Sequence, residues 1–309
     1  MTVQINYPAS CKLPEPIVQA GKEGQLVLFV GAGASMRVGL PAWPGLASRV
    51  LDDLRNNGIL NYAELDQLKE LDARKQLSIA SDLAEQKRFT LDYRKYLGEP
   101  NDDSDIYQYL NSIGCPCVTT NYDELLKPII SGGAGGNTAP KTGERFVKPD
   151  DMFAAHLDKA GSVIHLHGAL SEQDTIVATT KSYLELYDKE RTQQFLGDLF
   201  SQKVVLFIGY GLEEAEILEH ILRRGNARKT EELKRYALQG FFTKQNTLFE
   251  QLHQYYTNAF GLELIGFARD EDDYEALDKV LMDWSGRLKI NEPTLVDGLA
   301  LMEEVLANE

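Results

Sequence analysis

The chain has 309 residues, 43% of them hydrophobic and 26% charged, which suits one large α/β domain or two modest ones and excludes wholesale disorder. Lys plus Arg number 32 against 47 Asp plus Glu, a net charge of −15, so most of the surface repels phosphate polyanions. No basic stripe offsets this, so no direct nucleic-acid binding is expected, and any DNA contact would come through a partner.

From the amino end, residues 1–23 carry Pro8, Pro14 and Pro16 and read as an irregular arm with one short helix. Residues 25–30 (QLVLFV) form a short apolar run, a buried strand far below membrane-spanning length. From Trp43 onward the apolar spacing is helical (Leu46, Val50, Leu51, Leu54), and several amphipathic segments follow through residue 112 with no strand between them. This predicts an all-helical insertion at about 49–112. Further strands are expected at 117–120, 162–167, 203–208, 235–241 and 263–267, with a glycine-rich loop at 131–150. Helices are expected between the last two strands and at 271–288 and 293–307. Strand, turn and helix in this alternation imply an α/β, Rossmann-like three-layer fold with a mainly parallel sheet. The domain would run from 24 to 309 after the arm.

Cys11, Cys115 and Cys117 are too few and too oddly spaced for a disulfide framework or a four-cysteine zinc module. They read as small packing residues, and a reducing cytoplasm is the simplest home. The first residues lack the basic start and apolar core of a secretory signal, and neither a membrane span nor a catalytic metal is expected.

Four expected strands end in unusual turns: Gly31-Ala32-Gly33-Ala34-Ser35, Thr119-Thr120-Asn121-Tyr122-Asp123, His165-Leu166-His167-Gly168, and Gly209-Tyr210-Gly211. Ligands of open parallel sheets bind outside the carboxyl ends of the strands, so turns of this kind in one sheet point to one site. The first has the glycines of a phosphate-approaching turn, although the third glycine of the dinucleotide fingerprint and the Gly-Lys-Ser/Thr of a Walker loop are missing. A plain tight turn is the alternative. Asn121 and Asp123 could grip a polar ligand or simply cap a helix. His165 and His167 would alternate across a strand, so only one faces a given cleft, and His167 at the strand's end is the better placed proton acceptor. His156, His220 and His253 read as surface or packing residues. The last turn reads either as a second close approach to a nucleotide or as a tight turn with an exposed tyrosine.

In this order, with Gly39-Leu-Pro-Ala-Trp43 between the first and second, these turns resemble the sirtuin superfamily, and most of all its bacterial sirtuin-like NAD hydrolases of antiviral defence. The resemblance spans roughly residues 24–290. It implies NAD as substrate, with the pyrophosphate at Gly31, Ala32, Gly33 and Ser35. The nicotinamide ribose would lie at Thr120, Asn121 and Asp123, and the later glycine turn, Gly209, Tyr210 and Gly211, near ribose and phosphates. His167 would be the general base. Protein-deacylating sirtuins carry a four-cysteine zinc module that this chain lacks, which ranks NAD hydrolysis to nicotinamide and ADP-ribose above deacylation. An NAD-dependent deacylase and a silent NAD- or ADP-ribose-binding subunit stay open as alternatives. The resemblance also implies a regulated enzyme: a homo-oligomer, or the partner of a DNA-translocating ATPase or an Argonaute-like protein.

Overall fold

A computed structural model describes residues 5–130, 140–212, 214–225 and 235–289. The second expected C-terminal helix and most of the glycine-rich stretch of the 131–150 loop lie outside the described residues.

The apolar run after the arm becomes β1 (Leu26–Val30), buried at every position, as a central parallel strand must be. In the described part of the arm a helix, α1 (Glu15–Lys22), buries Ile17, and Asn6 pairs in parallel with Phe267. Between β1 and β2 (Cys117–Thr119) every element is a helix, as expected. It forms α2 (Ala32–Arg37), α3 (Trp43–Asn56), α4 (Tyr62–Lys69), α5 (Ala73–Lys87), α6 (Tyr93–Leu97) and α7 (Ile106–Ile113). Asn61 and Asp72 cap α4 and α5 by accepting the amides of Glu64 and Lys75, which fixes where these helices start.

The expected 131–150 loop is partly strand. β3 (Ile129–Ile130) pairs antiparallel with β4 (Lys141–Thr142), and β5 (Arg145–Phe146) joins the main sheet beside β6 (Val163–His165). Then come α8 (Thr180–Asp188), α9 (Glu190–Gln202), β7 (Val204–Ile208) and α10 (Ala215–Gly225). The chain continues through β8 (Arg235–Phe241), α11 (Asn246–Phe260), β9 (Leu262–Ala268) and α12 (Ala276–Leu288).

The main sheet has the order β5-β6-β2-β1-β7-β8-β9, and each of its strand pairings is parallel. One apolar cluster packs on each face. α1, the helical insertion and α12 cover one side, and α8 to α11 cover the other. This is the three-layer Rossmann-like architecture expected. Leaving aside β5 at the edge, the order is that of the doubly wound dinucleotide folds, and it reverses between β1 and β7. The crevice at such a reversal is where this architecture binds ligands.

Candidate active site in the cleft above β1 and β7

A cleft of about 930 Å³ opens at that reversal. Its lining includes Ala32, Gly33, Ser35, Thr120, Asn121, Asp123, Gly209, Tyr210 and Gly211, so three of the four unusual turns meet on it. Gly31 lies just beneath. The glycines have a specific reason to be there: the two glycine turns cross in backbone contact. A Cβ on Gly31 or Gly33 would lie 2.7 or 2.8 Å from backbone atoms of Gly209, and Gly209 itself has φ +60°. The Gly33 amide donates to the Gly209 carbonyl at 2.7 Å. That donor is therefore spent on holding the turns together.

Asn121 and Asp123 cap no helix, because none begins between β2 and β3. Asn121 Nδ2 donates to the Gly31 carbonyl at 3.0 Å and ties the second turn to the first. Asp123 is buried; its Oδ2 accepts the Ser35 hydroxyl at 2.6 Å and its Oδ1 the Leu125 amide at 3.2 Å. The Tyr107 hydroxyl lies 3.0 Å from Ser35 Oγ. Burial raises the Asp123 carboxyl above its ordinary range, and the Ser35 bond opposes that rise.

His167 does not line the cleft. The strand ends at His165, so the expected alternation stops short of His167, which sits in the turn beyond it. Both histidines are fully buried. His165 Nδ1 donates to the Asn121 carbonyl at 3.0 Å. His167 Nε2 is 2.9 Å from the Tyr187 hydroxyl, and its Nδ1 is 3.3 Å from that of Tyr183. Burial and the positive charge of Arg74 pull the His167 imidazole down to about 3, so the ring is neutral. It is joined to the cleft by two lining residues, Tyr183 and Glu214, whose Oε2 is 3.8 Å from His167 Nε2. Tyr210, exposed in one sequence reading, is buried at 6% exposure with its ring among Phe29 and Phe207.

Residues 117–260 match the model of the SIR2-like domain. Just under half of the chain is thus similar to that domain. The match runs from β2 to the end of α11 and includes the Thr-Asn-Tyr-Asp turn, His167-Gly168 and the Gly209 turn. The chain is also similar to the NAD(+) hydrolase ThsA of Cytobacillus dafuensis, 28% identical over an alignment 225 residues long that covers 69% of this chain and 40% of that protein. The chain thus spans less than half the length of this curated relative.

The cleft also holds residues that no turn announces. Arg37, Arg74 and Arg269 line it, which puts three guanidinium groups at one concavity of a strongly acidic chain. Each is held by a carboxylate: Arg37 by Asp278 at 3.0 Å, Arg74 by Glu216 at 2.7 Å, and Arg269 by Asp273 at 2.8 Å. Arg74 also lies 3.9 Å above the Tyr183 ring. These arginines come from α2, from the amino end of α5 and from just after β9, so only folding brings them together. Glu214 is the other addition, three residues beyond Gly211, where its placement after a strand-end glycine turn is the available signal. Burial lifts its carboxyl to about 7. Among the described residues no group of His, Cys, Asp and Glu could hold a metal ion, and Cys11, Cys115 and Cys117 are free and buried. No helix among the described residues is long and apolar enough to cross a membrane.

Proposed function

We propose that this chain is an NAD+ hydrolase that cleaves the nicotinamide–ribose bond to give nicotinamide and ADP-ribose. One observation carries the reading: a nucleotide-sized cleft at the reversal of a doubly wound sheet is walled by Asn121, Asp123 and Glu214 and rimmed by three arginines. The similarity to the SIR2-like domain and to the NAD(+) hydrolase ThsA supports the same chemistry.

In this reading NAD is substrate, and no metal takes part. Arg37, Arg74 and Arg269 are the candidate pyrophosphate contacts, since guanidinium groups pair well with phosphate and each can exchange a carboxylate for it. Ala32 and Gly33 let the backbone approach, and Gly209 to Gly211 form the facing wall. Thr120, Asn121 and Asp123 orient the nicotinamide ribose. Nicotinamide leaves from C1′ through an oxocarbenium-like state, aided by its own positive charge, and a water takes its place. That water must lose a proton at the corner where His167, Tyr183 and Glu214 meet.

An unrestrained enzyme of this kind would deplete the NAD of its own cell. We therefore assign it a regulated role, an NAD-depleting effector of antiphage defence controlled by self-assembly or by a partner such as a DNA-translocating ATPase or an Argonaute-like protein. The test is nicotinamide release from NAD by the purified protein, with and without an acetyl-lysine peptide, beside Asn121→Ala. Peptide-independent release that the variant loses supports the hydrolase. Release only with peptide makes the protein a deacylase, and tight NAD binding without product makes it a binding subunit or an enzyme awaiting its partner.

A further inference from the structure

Beyond β2 the chain leaves the sheet, so the peptide groups of its turn need partners other than a strand ladder. Those of Asn121 are met by two side chains. The Asn121 amide donates to Thr119 Oγ1 at 3.0 Å, and the Asn121 carbonyl accepts from His165 Nδ1 at 3.0 Å. Thr119 and His165 are register partners on the parallel strands β2 and β6, so their side chains leave the sheet on the same face. Both residues are wholly buried, and neither lines the cleft. The Thr119 hydroxyl is anchored in turn, donating to the Val30 carbonyl at 2.8 Å. Asn121 itself lines the cleft, with its side-chain amide on the Gly31 carbonyl. Packing alone does not account for an imidazole at 165. An apolar side chain would fill that space without the cost of burying a polar ring, which only a hydrogen bond offsets. Burial lowers the ring to about 4 against the opposing pull of its Asn121 and Gly168 backbone contacts, so the ring is neutral at pH 7.

We infer that His165 and Thr119 are positioning residues, a two-sided clamp on the peptide groups of Asn121 that aims its side chain at the nicotinamide ribose; this rests on the hydrolase reading above. The clamp acts at a point where the backbone has left the sheet and local propensity no longer fixes it. Other bonds join the same two turns without touching Asn121: the Leu166 amide donates to the Thr119 carbonyl at 2.8 Å, and the Leu170 amide to the Tyr122 carbonyl at 2.9 Å. Loss of the His165 bond therefore leaves the turns docked and frees Asn121 alone. A misplacement of about 1 Å at a group that orients a substrate is enough to cost about 10²-fold in rate.

The experiment is steady-state nicotinamide release by the wild type, His165→Leu, His165→Asn, His165→Gln and Thr119→Val, beside thermal unfolding of each. An asparagine carries its amide nitrogen where Nδ1 of the ring sits, and a glutamine carries it where Nε2 sits. His165→Leu should lose about 10²-fold in kcat with KM within roughly threefold. His165→Asn should recover most of that loss and His165→Gln little of it, although the two unfold at similar temperatures. Thr119→Val, which keeps the shape and removes the hydroxyl, should lower kcat as His165→Leu does. A merely structural role would make the rates of the asparagine and glutamine variants follow their stabilities. Wild-type kcat in His165→Leu, a loss confined to KM, or an asparagine variant no faster than the glutamine one overturns the inference. Should His165→Leu fail to fold, the comparison of asparagine with glutamine decides. A wild type that releases no nicotinamide defeats the hydrolase reading and this inference with it, whereas an active wild type matched by an equally active His165→Leu defeats only the role of His165.

Discussion

A methyl group added at Gly33 would sit 2.8 Å from the Cα and carbonyl oxygen of Gly209, with backbone rather than a flexible side chain in the way. Gly33→Ala should therefore separate the two glycine turns and cost about 1–3 kcal/mol by overpacking, read as a lower melting temperature, with loss of any turnover that depends on the cleft. Asn121→Ala acts differently. It removes one donor to the Gly31 carbonyl, which keeps the Ala34 amide at 3.1 Å, so the loss is that of a single hydrogen bond, about 0.5–1.5 kcal/mol. The circular dichroism spectrum should keep its helical shape while nicotinamide release disappears, since the proposal gives Asn121 a place at the ribose. A variant that turns over NAD normally would reduce Asn121 to the tie between turns.

At the scale of elements, Arg74 and Ser78 latch the insertion to the helices over the second half of the sheet. Arg74 begins the first turn of α5 and reaches across to Glu216 on α10, with its guanidinium over Tyr183 of α8. Ser78 adds a bond from the Thr180 amide at 2.9 Å. Arg74→Ala should raise KM for NAD by about tenfold, the worth of one charge-assisted contact, measured by steady-state kinetics. It should also push the Glu214 carboxyl further up. The Arg74 charge favours the ionised form of Glu214, so its removal lets burial raise that carboxyl further. A KM that stays put would separate α5 from NAD binding.

Over the whole molecule, burial of titratable groups sets a pH dependence of stability whose sign can be worked out. His165 and His167 have folded pKa values lowered to about 4 and about 3 from 6.5, so below 6.5 the unfolded chain binds more protons and stability falls with acid. Glu214 works in the opposite sense. Its folded pKa is raised from 4.5 to about 7, so the folded chain holds the extra proton in that window and stability falls as pH rises through it. The cleanest check is a difference. Glu214→Gln should gain stability relative to wild type as pH rises from 4.5 to about 7 and level off above, by on the order of a few kcal/mol, measured by denaturant titration at several pH values. A difference that does not vary with pH would mean that the Glu214 carboxyl is not held near neutrality.

Much of this was legible in the chain. Apolar runs of strand length, the helical spacing from Trp43 onward and the turns at strand ends specify a parallel sheet with a helical insertion, because these signals are local and act within a few residues. The same locality brought Gly33, Asn121, Asp123 and Gly209 into view as a group, since each closes its own strand or follows it. The lengths of weak strands escaped it. The pairs β3, β4 and β5 are two residues each and exist through pairing with distant partners rather than through their own propensity. So did the wall of the cleft. Arg37, Arg74 and Arg269 are ordinary surface cations in sequence and meet only because three crossovers return to one end of the sheet. Whether a histidine faces a cleft or two tyrosines depends on where its strand stops and what packs over it, and α8 decides that for His167. Tertiary packing likewise lifted the Glu214 carboxyl to about 7, because desolvation is a property of the surroundings and not of the residue.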